Sequence, residues 1–261
     1  MKVKFIVVVL AIILSFSTRI LGVTLRIGVT PVPHGEILEF IKEDLKKEGI
    51  KLKIIEFSDF VTPNEALLSG DLDANYFQHL PHLNLIVHKE RSLDIIPIAK
   101  IHIEPLGIYS KKLNSLNNLK EKSIVAIPND STNEGRALIL LHNNGIIKLK
   151  DSNNLLATPY DIIENPKNLK FHELDAAIIP RALNNVDIAI ITGNYALQAG
   201  YIPKRDALLL EGKESPYINV LAVTKENEKD ESIQKVIHFL TSEKVRIYIN
   251  KKYNGAVIPA F

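Results

Sequence analysis

The first third of the chain alternates between segments typical of strands and segments typical of helices, and this alternation constrains the fold more than any other feature. Residues 25–29 predict a buried strand, and residues 35–47 have the apolar periodicity of an amphipathic helix. A second strand is predicted at residues 51–57, and Thr62 and Glu65 predict the capping box of a second helix. A third strand follows, and this order is typical of a parallel sheet covered by helices.

The rest of the chain repeats this order of strand and helix once, and its last segments then return to the first part of the fold. Residues 123–127 predict a strand and residues 132–141 a helix, as at the start of the chain. Residues 217–224 form another apolar strand, and two helices are predicted after it. We therefore predict an α/β protein of two similar lobes joined by two crossover strands, which open and close on a ligand held in a central cleft. The predicted first lobe comprises residues 23–108 and 220–261, and the second lobe comprises residues 109–219.

Residues 1–22 have the pattern of a secretory signal peptide. Lys2 and Lys4 precede the apolar residues 5–14, and polar residues and Gly22 follow. This strictly apolar segment is shorter than the roughly 20 residues that span a bilayer. We therefore expect export, with the segment either cleaved after Gly22 or retained as an anchor.

The composition excludes several classes of partner and site. Lysine and arginine total 32 and aspartate and glutamate total 30, so the net charge of +2 gives no basis for binding a nucleic acid. The absence of cysteine excludes disulfides, thiolate metal sites and cysteine nucleophiles. We expect neither a cofactor nor a bound metal.

Polar and aromatic side chains stand near the predicted ends of strands, where ligands bind in open α/β sheets. They are Tyr76, Phe77, His79, Asn133, Arg136, Asn194 and Asn219. Arg136 lies in the first turns of a predicted helix, so a ligand carboxylate there would meet both a guanidinium group and helix-end amides. Asn194 and Asn219 would offer amide oxygens to an ammonium group.

Each of these candidates also has a purely structural interpretation. The aromatic residues could belong to the core, and Arg136 could pair with Glu134 or face solvent. Asn194 could cap the helix that follows it. Asn219 could occupy a bulge or an edge position in its strand.

The sequence lacks the usual signatures of a hydrolase or a metalloenzyme. His79 and His82 have the spacing of metal ligands on a helix, but Pro81 lies between them and no nearby carboxylate completes the site. Neither a Gly-x-Ser-x-Gly motif nor a phosphate-binding P-loop is present. We expect a binding protein that is not an enzyme. The alternative is an exported α/β hydrolytic enzyme acting on an amino-acid or peptide derivative, which turnover by pure protein would reveal.

Six segments stand in an order typical of one known family. They are PNEAL from Pro63, GDLDANYFQHLPHL from Gly70, YSKK from Tyr109, PNDSTNEGRALILL from Pro128, ENPKNLKF from Glu164 and KESPYINVLAV from Lys213. Together they resemble the methionine-binding lipoprotein (NlpA-type) family, whose members are solute-binding components of ABC importers. The resemblance covers essentially the whole chain after the predicted signal peptide.

This resemblance implies a type II periplasmic-binding-protein fold and a ligand that is L-methionine or a close analogue. It implies that the stretch from Tyr76 to His79 encloses the ligand side chain. Arg136 would bind the carboxylate, and Asn194 and Asn219 would bind the polar head. The implied partner is an ABC permease with its ATPase, and we expect the binding protein to be a monomer.

The chain departs from the family at the end of the predicted signal peptide. Members usually carry a lipobox cysteine there, whereas Val23 follows Gly22 in this sequence. We therefore expect a periplasmic or envelope-associated protein without cysteine lipidation. The residues leave open the stereochemistry and affinity of the ligand, the permease, and a secondary role as an adhesin.

Overall fold

The computed structural model describes residues 22–89, 94–212 and 215–261. The predicted signal peptide lies outside these residues, apart from Gly22. Within the described residues, no helix has both the length and the apolar character needed to cross a membrane.

The first part of the chain alternates between strand and helix, as the sequence predicts. Its elements are β1 (Val23–Val29), a helical turn (Pro31–Gly35), α1 (Glu36–Lys47), β2 (Ile50–Glu56), α2 (Thr62–Leu68), β3 (Ala74–His79), α3 (Leu80–Lys89) and β4 (Ile95–Ile103). After an excursion into the second lobe, the chain adds β12 (Ile218–Thr224), α8 (Glu231–Leu240), α9 (Glu243–Tyr253) and β13 (Ile258–Pro259) to this lobe.

The excursion builds the second lobe. Its elements are β5 (Gly107–Tyr109), a 3-10 turn (Leu116–Asn118), β6 (Ile124–Pro128), α4 (Ser131–Asn143), β7 (Lys148–Leu149), a 3-10 turn (Pro159–Asp161), β8 (Ile162–Glu164), β9 (Lys170–Leu174), α5 (Ile179–Ala182), β10 (Ile188–Ile191), α6 (Gly193–Gln198), α7 (Pro203–Asp206) and β11 (Leu209–Leu210). The chain therefore passes from one sheet to the other after Ile103 and back again before Ile218. We propose these two crossings as the lobe boundaries; the sequence-based boundaries lie within several residues of them.

Each lobe contains one main sheet. The first sheet has six strands in the order β13-β4-β12-β3-β1-β2, and the second has five in the order β11-β5-β10-β6-β9. The first three strands pair in parallel, as their alternation with helices predicts, whereas β12 pairs antiparallel with both β3 and β4. A strand that returns from the other lobe enters at the edge where β3 and β4 end, so it must run in the opposite direction. The start of β12 consequently lies beside the ends of β3 and β4.

Both sheets bury apolar faces against helices. In the first lobe, Ile37, Leu38 and Ile41 of α1 pack with Leu25 and Ile27 of β1. The second lobe has a separate core in which α4 packs on its sheet. Such burial contributes about 25 cal/mol for each Å² of apolar surface removed from water, and it holds the strand ends in place.

At the start of two helices near the interlobe region, an aspartate carboxylate accepts hydrogen bonds from backbone amides. The carboxylate of Asp59 accepts the backbone N–H groups of Val61 at 2.8 Å and Thr62 at 2.7 Å. The predicted capping box of Thr62 and Glu65 is therefore wrong, because Asp59 already satisfies the amides at the start of α2. Asp130 caps α4 in the same way, accepting the N–H of Asn133 at 3.1 Å.

Candidate functional site

A cavity of about 370 Å³ lies between the two lobes at the carboxyl ends of the central strands. This volume includes space that is open to solvent. Its lining residues come from both lobes: Phe60, Phe77, Gln78, His79, His82, Glu104, Asn133, Arg136, Thr192, Gly193, Asn194 and Asn219.

The structure brings six of the seven residues predicted from the sequence to this cavity. The exception is Tyr76, which is fully buried in the core of the first lobe. Side chains alternate between the two faces of a strand, so Tyr76 and Phe77 cannot both face the same cavity. Tyr76 instead donates a hydrogen bond from its hydroxyl to Nδ1 of His102.

An aromatic wall forms one side of the cavity. The ring of Phe60 lies 6.3 Å from that of Phe77 and 6.4 Å from that of His82, measured between centroids. On its other side Phe60 lies 5.1 Å from the ring of Tyr195, which belongs to the second lobe. Sequence reasoning missed Phe60, because it lies in the connection between β2 and α2 and not at a predicted strand end.

His79 is the first of the two histidines that have the spacing of metal ligands on a helix. Nδ1 of His79 accepts the backbone N–H of His82, so Nε2 of a neutral His79 carries the proton and donates it to Oδ1 of Asn133 at 3.1 Å. Burial and nearby Arg136 and His82 hold the pKa of His79 well below 6.5, so its ring is neutral. Both nitrogens of His79 therefore already have protein partners.

Arg136 is buried, with 3% of its surface exposed, and its guanidinium group is largely occupied. Nε donates to Oε1 of Glu211 at 3.1 Å, and Nη2 donates both to Oε2 of Glu211 and to the backbone oxygen of Glu104, the latter at 2.7 Å. The group also stacks over the ring of Tyr217 at 4.3 Å. Among the described residues, Nη1 of Arg136 has no hydrogen-bond partner, so it is the nitrogen available to a ligand.

Glu134, which the sequence suggested as an ion-pair partner of Arg136, is not its counter-ion. Burial, followed by the nearby carboxylates of Glu173 and Asp130, raises its pKa to about 7. Glu211 takes its place as the counter-ion of Arg136. It stands far from Arg136 in the sequence, and no local pattern could have identified it.

The side-chain amides of the three asparagines predicted for the site differ in their hydrogen-bond partners. Asn133 accepts a hydrogen bond from His79 and donates to Asp130. Oδ1 of Asn219 lies 3.0 Å from Nε2 of His34 and accepts its proton. Asn194 is 4% exposed, and its Nδ2 has no hydrogen-bond partner among the described residues.

Several buried polar atoms without a hydrogen-bond partner among the described residues line this cavity, and others belong to Tyr109, Tyr217 and Thr224. Besides Asn194 Nδ2, Nε2 of His82 and the hydroxyl of Thr192 are buried without a partner in the part of the chain that is described. An unpaired buried polar group costs about 1–3 kcal/mol. Three such groups around one cavity mark it as a site for a polar ligand.

Glu104, which lines the cavity, belongs to a buried group of ionisable residues. Nε2 of His102 lies 2.8 Å from Oε1 of Glu104, and Nε2 of His34 lies 3.2 Å from the same oxygen. These three residues could also hold a metal ion, because their ligand atoms all lie within 4.8 Å of one another. Sequence reasoning missed all three, although Glu104 directly follows the end of β4, where functional side chains are expected.

Gly193 provides the close approach of the second lobe to Glu104. A methyl group at Gly193 would lie 2.6 Å from Cβ and 3.1 Å from Oε2 of Glu104, well inside normal contact. We expect Gly193→Ala to lower the free energy of unfolding by about 1–3 kcal/mol, as overpacking of a filled site usually does. Urea unfolding measures this loss. Gly212→Ala is the matched control, since a methyl group there meets no atom of the described residues within 4 Å, and equal effects of the two substitutions would contradict the expectation.

Comparison with known proteins identifies one matching family, a related protein and similar solved structures. The NlpA lipoprotein family model matches residues 25–261. The D-methionine-binding lipoprotein MetQ of Salmonella typhi is 41% identical over 237 residues, which are 90% of this chain and 87% of that protein. The structure of a nutrient binding protein from Burkholderia cenocepacia bound to methionine is similar with a TM-score of 0.87 at 42% identity, covering 91% of this chain and 100% of that one. An ABC transporter periplasmic substrate-binding protein from Coxiella burnetii has a TM-score of 0.85 at 43% identity, covering 90% and 100%.

Proposed function

We propose that this chain, which belongs to the NlpA lipoprotein family, is the solute-binding component of an ABC importer and binds L-methionine or a close analogue between its lobes. The observation that carries the proposal is the cavity itself. It combines an aromatic wall at Phe60 and Phe77 with buried, unpaired polar groups at His82, Thr192 and Asn194. The thioether side chain of methionine suits the aromatic wall, and its zwitterionic head group suits the unpaired polar groups.

The proposed roles of the residues follow from their chemistry. Phe60 and Phe77 contact the thioether, since a sulfur beside an aromatic ring gains about 0.3–1.5 kcal/mol. Asn194 Nδ2 and Arg136 Nη1 donate to the ligand carboxylate. His79 and Asn133 hold each other in one orientation and complete the wall between these two regions.

Two further parts of the proposal concern the setting of the protein. We propose that it acts outside the cytoplasm as a monomer that delivers its ligand to a membrane permease with an ATPase. The sequence contains no cysteine, so it offers no thiol for the thioether-linked lipid of lipoproteins. Binding without turnover is the expected activity.

Calorimetric titration of ligand-stripped protein tests this function. The twenty common amino acids and D-methionine are titrated in turn, and methionine is expected to bind most tightly, with a 1:1 stoichiometry. The same samples are incubated with methionyl derivatives to detect hydrolysis. Failure of both methionine enantiomers to bind, or turnover of a derivative, would overturn the proposal.

The aromatic wall makes a separate prediction about selectivity. Phe77→Ala is expected to reduce the preference for methionine over alanine about 5- to 10-fold, because about 1–1.4 kcal/mol of thioether contact is lost. Competition titration with both amino acids measures the ratio. Phe40→Ala is the control, since Phe40 stacks on Tyr248 at the surface of the first lobe, away from the cavity. An unchanged ratio in a folded Phe77 variant would show that the thioether binds elsewhere.

A further inference from the structure

Helix α6 (Gly193–Gln198) belongs to the second lobe, but it packs against the helical turn Pro31–Gly35 of the first lobe. Gly193 and Asn194 line the cavity at the start of this helix. Tyr195 and Leu197 also reach the first lobe, yet they lie outside the lining of the cavity. The proposed function therefore leaves these two side chains without a role.

Tyr195 forms a hydrogen bond between the two lobes. Its hydroxyl donates to the backbone oxygen of Ser58 at 2.8 Å, and the two residues are 137 positions apart in the sequence. Tyr195 is 4% exposed, and its ring packs in an apolar cluster of the second lobe. Ser58 lies between β2 and α2 of the first lobe. The bond can therefore exist only while the two lobes are in contact.

Phe60 belongs to the first lobe, but its ring packs against the core of the second lobe. It contacts the cluster that contains Ile179, Tyr195 and Ala196, and its centroid lies 5.1 Å from that of the Tyr195 ring. The same ring of Phe60 lines the cavity. Separation of the lobes would therefore withdraw Phe60 from the second-lobe core and from a bound ligand together.

Leu197 makes the reciprocal contact. It packs against the core of the first lobe, which includes Ile37 and Leu38 of α1. Each lobe thus places an apolar side chain against the core of the other. Because apolar surface removed from water stabilises the arrangement that buries it, both contacts favour lobes that are closed together.

We propose that α6 is a latch that holds the lobes closed, and that Tyr195 and Leu197 set the rate at which the ligand leaves. Both are positioning residues, since neither lines the cavity and each acts through the part of the first lobe that it contacts. Tyr195 holds residues 58–60 and thereby Phe60. This inference rests on the proposed function, because methionine is the ligand whose release is measured.

The latch acts on dissociation of the ligand. The lining of the cavity comes from both lobes, so a ligand enters while the lobes are apart. In that arrangement Tyr195 does not reach Ser58, and the rate of association does not depend on their hydrogen bond. A ligand leaves only after this bond and the two apolar contacts break. Loss of one contact should therefore raise the dissociation rate constant and leave association unchanged.

Selectivity separates the latch from the wall of the cavity. His79 and Asn133 also join the lobes, by a hydrogen bond of 3.1 Å, but both of them line the cavity. A change in either would alter the surroundings of the ligand as well as the closure of the lobes. A change confined to the latch should accelerate the release of every ligand by the same factor. The ratio of affinities for methionine and alanine should then stay constant.

Tyr195→Phe tests the latch, because it removes the hydroxyl and keeps the ring that contacts Phe60. Stopped-flow measurement is expected to show methionine leaving about 3- to 10-fold faster than from the wild-type protein, as for the loss of one neutral hydrogen bond. The association rate constant should change by less than about twofold. Competition titration should give the wild-type ratio of affinities for methionine and alanine.

Two further variants accompany Tyr195→Phe. Tyr109→Phe is the matched control, since Tyr109 belongs to the same second-lobe cluster and its buried hydroxyl has no partner among the described residues. Its removal should leave dissociation unchanged. Leu197→Ala removes the reciprocal contact and is expected to raise the dissociation rate constant about 3- to 10-fold. This variant decides the question if Tyr195→Phe does not fold.

The outcomes separate this inference from the proposed function. Wild-type dissociation rates in both latch variants would overturn the inference and leave methionine binding intact. So would a loss of affinity caused by slower association, or a changed ratio of affinities in Tyr195→Phe, which would place Tyr195 in the wall of the cavity. A merely structural role would lower the free energy of unfolding without changing dissociation, and it would overturn the inference as well. Absence of methionine binding in the wild-type protein would instead overturn the proposed function, and the latch with it.

Discussion

Exchange of Arg136 for methionine is expected to lower the free energy of unfolding of the ligand-free protein by about 3–5 kcal/mol, because it leaves a carboxylate buried without its cation. The side chains of Arg136 and Glu211 are 4% and 15% exposed, so solvent screens this pair poorly. The substitution also removes the hydrogen bond to the backbone oxygen of Glu104 and the contact with Tyr217. The unpaired Glu211 carboxylate contributes most of the loss.

A double-mutant cycle tests this explanation. Urea unfolding is measured for Arg136→Met, Glu211→Gln and the double variant, and the double variant is expected to be less destabilised than the sum of the two single variants. Arg246→Met is the matched control, since Arg246 and its partner Glu243 are 36% and 71% exposed, and such a pair contributes less than about 1 kcal/mol. Additive single effects, or a loss at Arg136 no larger than at Arg246, would refute the proposed coupling.

Acidification from about pH 7.5 to about pH 5 is expected to lower the free energy of unfolding, and His34 and His102 together contribute about 4 kcal/mol to this loss. The pKa values of His34 and His102 are about 4 and about 3 in the folded protein, against 6.5 for an unperturbed histidine. The unfolded chain therefore takes up protons below about pH 6.5 that the folded protein cannot bind, and stability falls with pH. Each histidine contributes about 2 kcal/mol over this interval.

Other buried ionisable groups change the size of this stability loss, and the direction in which each acts is known. His79, whose pKa is also lowered, adds to the loss. Glu104 and Glu134, whose pKa values are raised, bind their protons more readily in the folded state and oppose the loss, and the pKa of Glu134 at about 7 lies within this pH interval. Urea unfolding of ligand-free protein at several pH values measures the sum. Exposed His238, changed to Gln, should leave the slope unaltered, and a flat profile in the wild-type protein would contradict the neutral histidine pair.

Local sequence patterns predicted the elements of the fold well. The apolar periodicity of residues 35–47 corresponds to α1, and the apolar segment of residues 217–224 corresponds to β12. The return of that segment to the first lobe also follows from its place in the chain, after all second-lobe elements. Strand direction did not follow, because apolar content does not specify whether a strand runs parallel or antiparallel to its neighbours.

The candidate site was predictable to the extent that it depends on strand ends. The rule that ligands bind at the carboxyl ends of strands led to Phe77 and His79, and helix position led to Arg136. The same rule misplaced Tyr76, since adjacent residues of a strand face opposite sides of the sheet. It also passed over Glu104, although Glu104 directly follows β4 and His102 stands two residues before it.

By itself, the sequence determined the two α/β lobes, the family resemblance and most residues that meet at the cavity, because each rests on periodicity, turn chemistry or motif order within short segments. Only the tertiary structure decided the partners of the charged groups. Arg136 meets Glu211 at a separation of 75 residues, and His34 meets Asn219 at a separation of 185. His34 comes within 3.2 Å of Glu104 only through folding, whereas His102 stands two residues from Glu104 in the sequence. Ionisation and hydrogen bonding depend on distances between atoms that the chain brings together by folding, and these distances have no counterpart in local spacing.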